Sequence, residues 1–233
     1  MIEETLFFPS GNLRLEGRLT YGDQLDEPLA FVLICPPHPF MGGDMENNIT
    51  AGLAHGLAQR DFAVFRFNHQ GVGRSETCRD LLEDQRLFWQ DSTAPAYETQ
   101  MGLDTWAAMA FLHQLMGTGI RCHVVGYSYG CLSALALVER DPLIDRMVLI
   151  APPLTQWPLP PPHPGAGHPK ALLWAEDDFA CPSPLAKNLF DQLPAPKTRY
   201  VLPAGLDHFF LGQEDHLAAW IGRFLNPSEK NDP

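Results

Sequence analysis

Apolar and polar positions change period along this chain, and each change marks an element. Residues 4–9 (ETLFFP) and 13–21 (LRLEGRLTY) flank the turn residues SGN and read as a β-hairpin. Residues 29–35 (LAFVLIC) are an unbroken apolar run stopped by PPHP, the pattern of a strand buried on both faces. From residue 45, MENNITAGLAHGLAQRD places Ile49, Leu53 and Leu57 four apart, a helical period. FAVFRFN (62–68) reads as the next strand. Residues 101–116 read as a helix with Leu103, Trp106, Ala107, Ala110 and Phe111 on its inward stripe. CHVVGYS (122–128) is a strand, and YGCLSALALVERD (129–141) an apolar helix. Three further strands start near residues 145, 170 and 198, and helices cover 184–193 and 214–225.

Strands that alternate with helices and are apolar throughout predict an α/β fold, a mostly parallel eight-stranded sheet with helices on both faces. No linker splits the 233 residues, so one domain is expected over 1–233. Two stretches break the alternation. Residues 76–100 are a polar and aromatic insertion, a candidate lid that carries Phe88 and Trp89. Residues 152–169 form a proline-rich loop that suits neither helix nor central strand.

Composition narrows the function. The net charge of -12 opposes binding to phosphate backbones, so no nucleic-acid partner is expected. No apolar run reaches the roughly 18 residues of a membrane span. The acidic N-terminus lacks the basic start of a signal peptide, which points to the cytoplasm. Five scattered cysteines without a C-x-x-C pair argue against disulfides and zinc.

The chemistry centres on HVVGYSYGCL (123–132). A strand precedes G-x-S-x-G and a helix follows, the setting of a nucleophile elbow: a tight turn that presents Ser128 in a strained backbone. Gly126 and Gly130 leave room for the turn to close. The N–H of Tyr129, at the start of the helix, then faces the position of an oxyanion. A serine needs a base. Of the histidines that follow, His163 and His168 lie in the proline-rich loop and His216 lies on the outer side of the last helix. His208 follows a strand, where a parallel sheet places its chemistry. The orienting carboxylate is expected at the end of the preceding strand, among Glu176, Asp177 and Asp178, with Asp178 favoured over Asp177. A second oxyanion donor is expected after residues 29–35. Prolines 36, 37 and 39 carry no N–H, which leaves His38 or Phe40, and His38 is preferred through its backbone. Its imidazole has no second ligand at a useful spacing, so no metal is expected.

Four stretches together resemble the alpha/beta-hydrolase superfamily, and within it small bacterial hydrolases related to dienelactone hydrolases. CPPHPFMGGDMENN resembles their H-P-H-P-x-x-G-G-x-M-x-N. FNHQGVGRS is similar to F-N-x-R-G-x-G-x-S, AEDDFACP to G-x-x-D-x-x-V-P, and GLDHFF to G-x-x-H-F-F. The resemblance implies Asp178 as the acid and His208 as the base. Pro36, Gln70 and Ala175 depart from the pattern without removing a reacting group. The expected activity is hydrolysis of a small ester through an acyl-enzyme, with no cofactor, in a monomer or homodimer. Phe40, Met41, Tyr127, Trp157 and Phe209 are the candidate substrate-binding residues. A thioesterase, an acyltransferase and a non-catalytic binding protein are the alternatives.

Overall fold

A computed structural model describes residues 1–24, 27–91, 97–116, 120–157, 159 and 167–227. The predicted alternation folds into one eight-stranded sheet, with helices on both faces. In chain order the elements are β1 (Ile2–Ser10), β2 (Leu13–Tyr21), β3 (Phe31–Cys35), α1 (Asn48–Ala58), β4 (Ala63–Phe67), α2 (Leu81–Gln90), α3 (Glu98–Leu115), β5 (Cys122–Tyr127), α4 (Gly130–Val138), β6 (Ile144–Ile150), β7 (Lys170–Ala175), α5 (Ser183–Gln192), β8 (Lys197–Leu202) and α6 (Glu214–Leu225). The strand order is β1-β2-β4-β3-β5-β6-β7-β8. β2 pairs antiparallel with β1 and with β4, and every other pairing is parallel.

The middle strands β3, β4, β5 and β7 are buried at every residue, which explains their lack of polar alternation. The chain leaves β3 toward β4 on one side and later returns to place β5 on the other. This reversal opens a crevice beyond the carboxyl ends of β3 and β5, the usual ligand position in such sheets.

The structure shifts some predicted boundaries. The helix expected from residue 45 starts at Asn48, because the Asn47 side chain accepts the Thr50 N–H at 3.0 Å and caps it. The predicted inward stripe of α3 needs correction: Leu103 is 55% exposed, and the buried face is Met101, Asp104, Thr105, Ala108, Met109 and Leu112. Trp106, Ala107 and Phe111 pack only at its margin. The buried face includes two polar residues that an apolar count skips. Both are satisfied: Asp104 accepts from Ser10 Oγ at 2.9 Å and Gln70 N at 3.0 Å, and Thr105 Oγ1 donates to Met101 O at 2.8 Å.

Within the insertion at 76–100, residues 81–90 form α2, capped by Asp80 at the N–H groups of Leu82 and Glu83. Residues 92–96 of that insertion lie outside the described residues, as do 158 and 160–166 of the proline-rich loop, His163 among them.

Candidate active site

Ser128 sits directly after β5 with φ 53°, a left-handed conformation costing about 1–3 kcal/mol for a residue with a side chain. The neighbourhood enforces it. Ser128 N donates to Ile150 O of β6 at 2.9 Å, and Ser128 O accepts from Cys131 N at 3.0 Å. A Cβ on Gly126 would come within 2.5 Å of Gly130 O, and one on Gly130 within 2.0 Å of Cys35 O. Only glycine fits where α4 crosses this close to the end of β3.

Three loops at the carboxyl edge of the sheet meet at this serine. His208 follows β8, and its Nε2 lies 2.9 Å from Ser128 Oγ. Its Nδ1 lies 3.0 Å from both carboxylate oxygens of Asp178, in the loop after β7. A carboxylate only accepts, so the ring proton sits on Nδ1 and leaves the Nε2 lone pair to the serine hydroxyl. Asp178 is held in turn: Oδ1 accepts the N–H groups of Ala180 and Cys181, each at 2.8 Å. The Tyr127 hydroxyl donates to His208 O at 2.9 Å and ties the histidine loop to β5. Asp177 is engaged elsewhere, accepting Gly205 N at 2.7 Å, and Glu176 is exposed. Burial pushes the thiols of Cys35, Cys131 and Cys181 up, so near the elbow the serine is the nucleophile candidate rather than a thiolate.

Residues 36–43, directly after β3, supply one uncommitted donor. Pro36, Pro37 and Pro39 have no N–H. Phe40 N donates to the His38 ring, Met41 N and Gly43 N to His38 O, and Gly42 N to Pro39 O. Among the described residues the backbone N–H groups of His38 and Tyr129 have no acceptor. The His38 imidazole is 1% exposed, so it lies under the surface rather than facing a ligand.

A cavity of about 120 Å³ opens over Ser128 and His208. Of the residues named from sequence as candidates for substrate binding, Met41, Tyr127 and Phe209 line it. Phe40 and Trp157 do not. They join Phe88, Tyr97, Met101 and Tyr129 in an adjoining aromatic cluster, where burying their large faces is more favourable than leaving them in the mouth. Sequence reasoning overlooked Asn47, Asn48, Pro153, Gln156 and Phe179 in the lining. Phe179 was open to detection, since it adjoins Asp178. A larger cavity, about 510 Å³, lies beside Lys170 and Lys197, the first residues of β7 and β8, far from Ser128. Volume alone would favour it, but the convergent reactive groups are at the smaller one.

A strained serine beside a buried imidazole and carboxylate, on a sheet with this strand order, defines a recognisable class. Residues 32–172 match the family model for the alpha/beta hydrolase fold, and the chain belongs to that family. It is 26% identical to the uncharacterized protein RP471 of Rickettsia prowazekii, over 97% of this chain and 90% of that one. Among solved structures, an alpha-beta serine hydrolase homologue from Coxiella burnetii superposes with TM-score 0.77 at 23% identity, covering 97% of this chain and 98% of the other. A dienelactone hydrolase from Anabaena variabilis gives TM-score 0.74 at 17% identity, covering 96% of each chain. Among the described residues no helix is long and apolar enough to cross a membrane.

Proposed function

We propose that this protein is a serine hydrolase that cleaves small carboxylic esters through an acyl-enzyme. The reading rests on one observation above the rest, the continuous contact Ser128–His208–Asp178. In it, His208 Nε2 takes the hydroxyl proton as Ser128 Oγ attacks the ester carbonyl. Asp178 holds the imidazole in the accepting tautomer and stabilises the imidazolium that forms. The N–H groups of Tyr129 and His38 receive the oxyanion. His208 then delivers the proton to the departing alcohol, and a water activated by the same ring releases the acid. The relatives whose names carry "serine hydrolase" and "dienelactone hydrolase" support this reading.

Substrate size and charge follow from the lining. A cavity of about 120 Å³ accommodates a short acyl group. It is walled by Pro37, Met41, Tyr127, Pro153, Phe179 and Phe209, with no lysine or arginine among the described lining residues. Such walls favour neutral esters over the polyanionic acyl-CoA thioesters. A fluorophosphonate probe should label the wild type and leave Ser128→Ala unlabelled. On p-nitrophenyl acetate and butyrate, Ser128→Ala should lower kcat by about 10³-fold or more. Folded wild-type protein that neither takes the label nor turns over any short ester would overturn the proposal.

A further inference from the structure

His38 does more in this structure than offer a backbone N–H. Its ring is 1% exposed and bonded at both nitrogens. Nδ1 accepts the Phe40 N–H at 3.2 Å, and Nε2 lies 3.2 Å from Glu98 Oε1, at the first residue of α3. A nitrogen that accepts a backbone N–H carries no proton, so the proton sits on Nε2 and is donated to Glu98. Burial pushes the His38 pKa down, against the pull of Glu98, and this keeps the ring neutral and Nδ1 accepting. The ring faces Phe88 of α2 at 4.5 Å and Trp157 at 5.8 Å. It also meets the Tyr129 ring edge-on at 5.1 Å.

The last contact joins the two residues whose N–H groups are unpaired beside Ser128. Their side chains touch, so the separation of the two donors is governed by a packed ring pair as well as by backbone. From this arrangement we infer that His38 and Glu98 are positioning residues for the oxyanion site. The Glu98 carboxylate fixes the tautomer and orientation of the His38 ring. The ring fixes the turn at residues 38–41 through the Phe40 N–H and sets the His38 donor against that of Tyr129. Neither side chain touches the reacting atoms. The inference rests on the serine-hydrolase reading and adds to it the device that holds the oxyanion donors in place before substrate arrives.

The test uses substitutions that keep or remove single bonds, measured on p-nitrophenyl butyrate together with the rate of fluorophosphonate labelling. His38→Asn keeps a side-chain acceptor near the Nδ1 position, and asparagine is well suited to a capping role. His38→Leu removes the acceptor. Glu98→Gln can still accept from Nε2, whereas Glu98→Leu cannot. Displacing one oxyanion donor predicts that His38→Leu lowers kcat by about 30- to 100-fold with KM within about twofold. His38→Asn should recover most of that loss. Glu98→Leu should fall by about tenfold and Glu98→Gln by about threefold or less. Labelling rates should follow kcat, since phosphonylation develops the same oxyanion charge. A purely structural role would lower the melting temperature and leave kcat of the folded fraction, and the Asn-to-Leu ordering, unmoved. The inference is overturned if His38→Leu keeps kcat within about twofold, or if His38→Asn loses as much as His38→Leu. These outcomes are separate from the failure of the serine-hydrolase reading, in which the wild type itself neither hydrolyses nor labels.

Discussion

Among the three neighbouring acids, hydrogen bonding separates Asp178 from Asp177. Asp178 faces His208 with both oxygens, while Asp177 accepts a backbone N–H from the loop that carries the histidine. On the proposed mechanism, Asp178→Asn should lower kcat by about 10³- to 10⁴-fold, since an amide cannot enforce the accepting tautomer. Asp177→Asn should cost less than about tenfold. Steady-state kinetics on one short ester distinguishes them, and the reverse order would move the acid to Asp177. At the elbow, Gly130→Ala puts a methyl group 2.0 Å from a backbone oxygen that cannot move aside. Urea unfolding should show a loss of about 3 kcal/mol or more. A loss under 1 kcal/mol would mean that α4 can slide away from β3. The elbow was readable in the sequence because its requirements are local: glycines two residues either side of a serine, between a strand and a helix. Asp178 and His208 were named from their places after two strands and from the resemblance, but their contact was not readable, because a 30-residue separation closes only through the register of β7 beside β8.

Among the elements, α3 shows the limit of hydrophobic counting. Its buried face carries Asp104, whose burial is offset by bonds from Ser10 at the end of β1 and from the Gln70 backbone. Those partners are 94 and 34 residues away, so no local pattern identifies Asp104 as an inward residue. Leu112→Ala should therefore cost about 2–5 kcal/mol in chemical denaturation, the range for a fully buried leucine. Leu103→Ala should change stability by less than about 0.5 kcal/mol. Equal losses would restore the stripe expected from sequence. Helix α2 escaped the sequence reading because its five apolar residues form no buried stripe: Phe88 is the one that is buried, while Leu82 and Trp89 face outward. Its Phe88 rests on His38, so a segment resembling a detached insertion is packed into the support of the candidate site.

Taken whole, the molecule holds a pH liability inside its sheet. His123, on β5, is 0% exposed, and both ring nitrogens lack a hydrogen-bond partner among the described residues. Burial lowers its pKa from 6.5 to about 4, with Asp145 opposing and Arg121 and Arg146 assisting. The unfolded chain takes up the proton first as pH falls, so stability present at neutral pH is lost between about 6.5 and 4. Between pH 7 and pH 4.5, wild type should lose about 2–3 kcal/mol more than His123→Leu, read from urea midpoints at each pH. Parallel slopes for the two proteins would remove His123 as the cause. The sequence alone determined the strand and helix alternation, the parallel character of the sheet and the elbow, because short-range periodicity and turn chemistry carry that information. Tertiary structure decided how closely the Asp178 carboxylate meets the imidazole, which aromatics face the cavity and which pack beneath it, and which polar side chains are buried. Each of these depends on partners tens of residues away, and a desolvated polar group is tolerated only where such a partner comes within bonding distance.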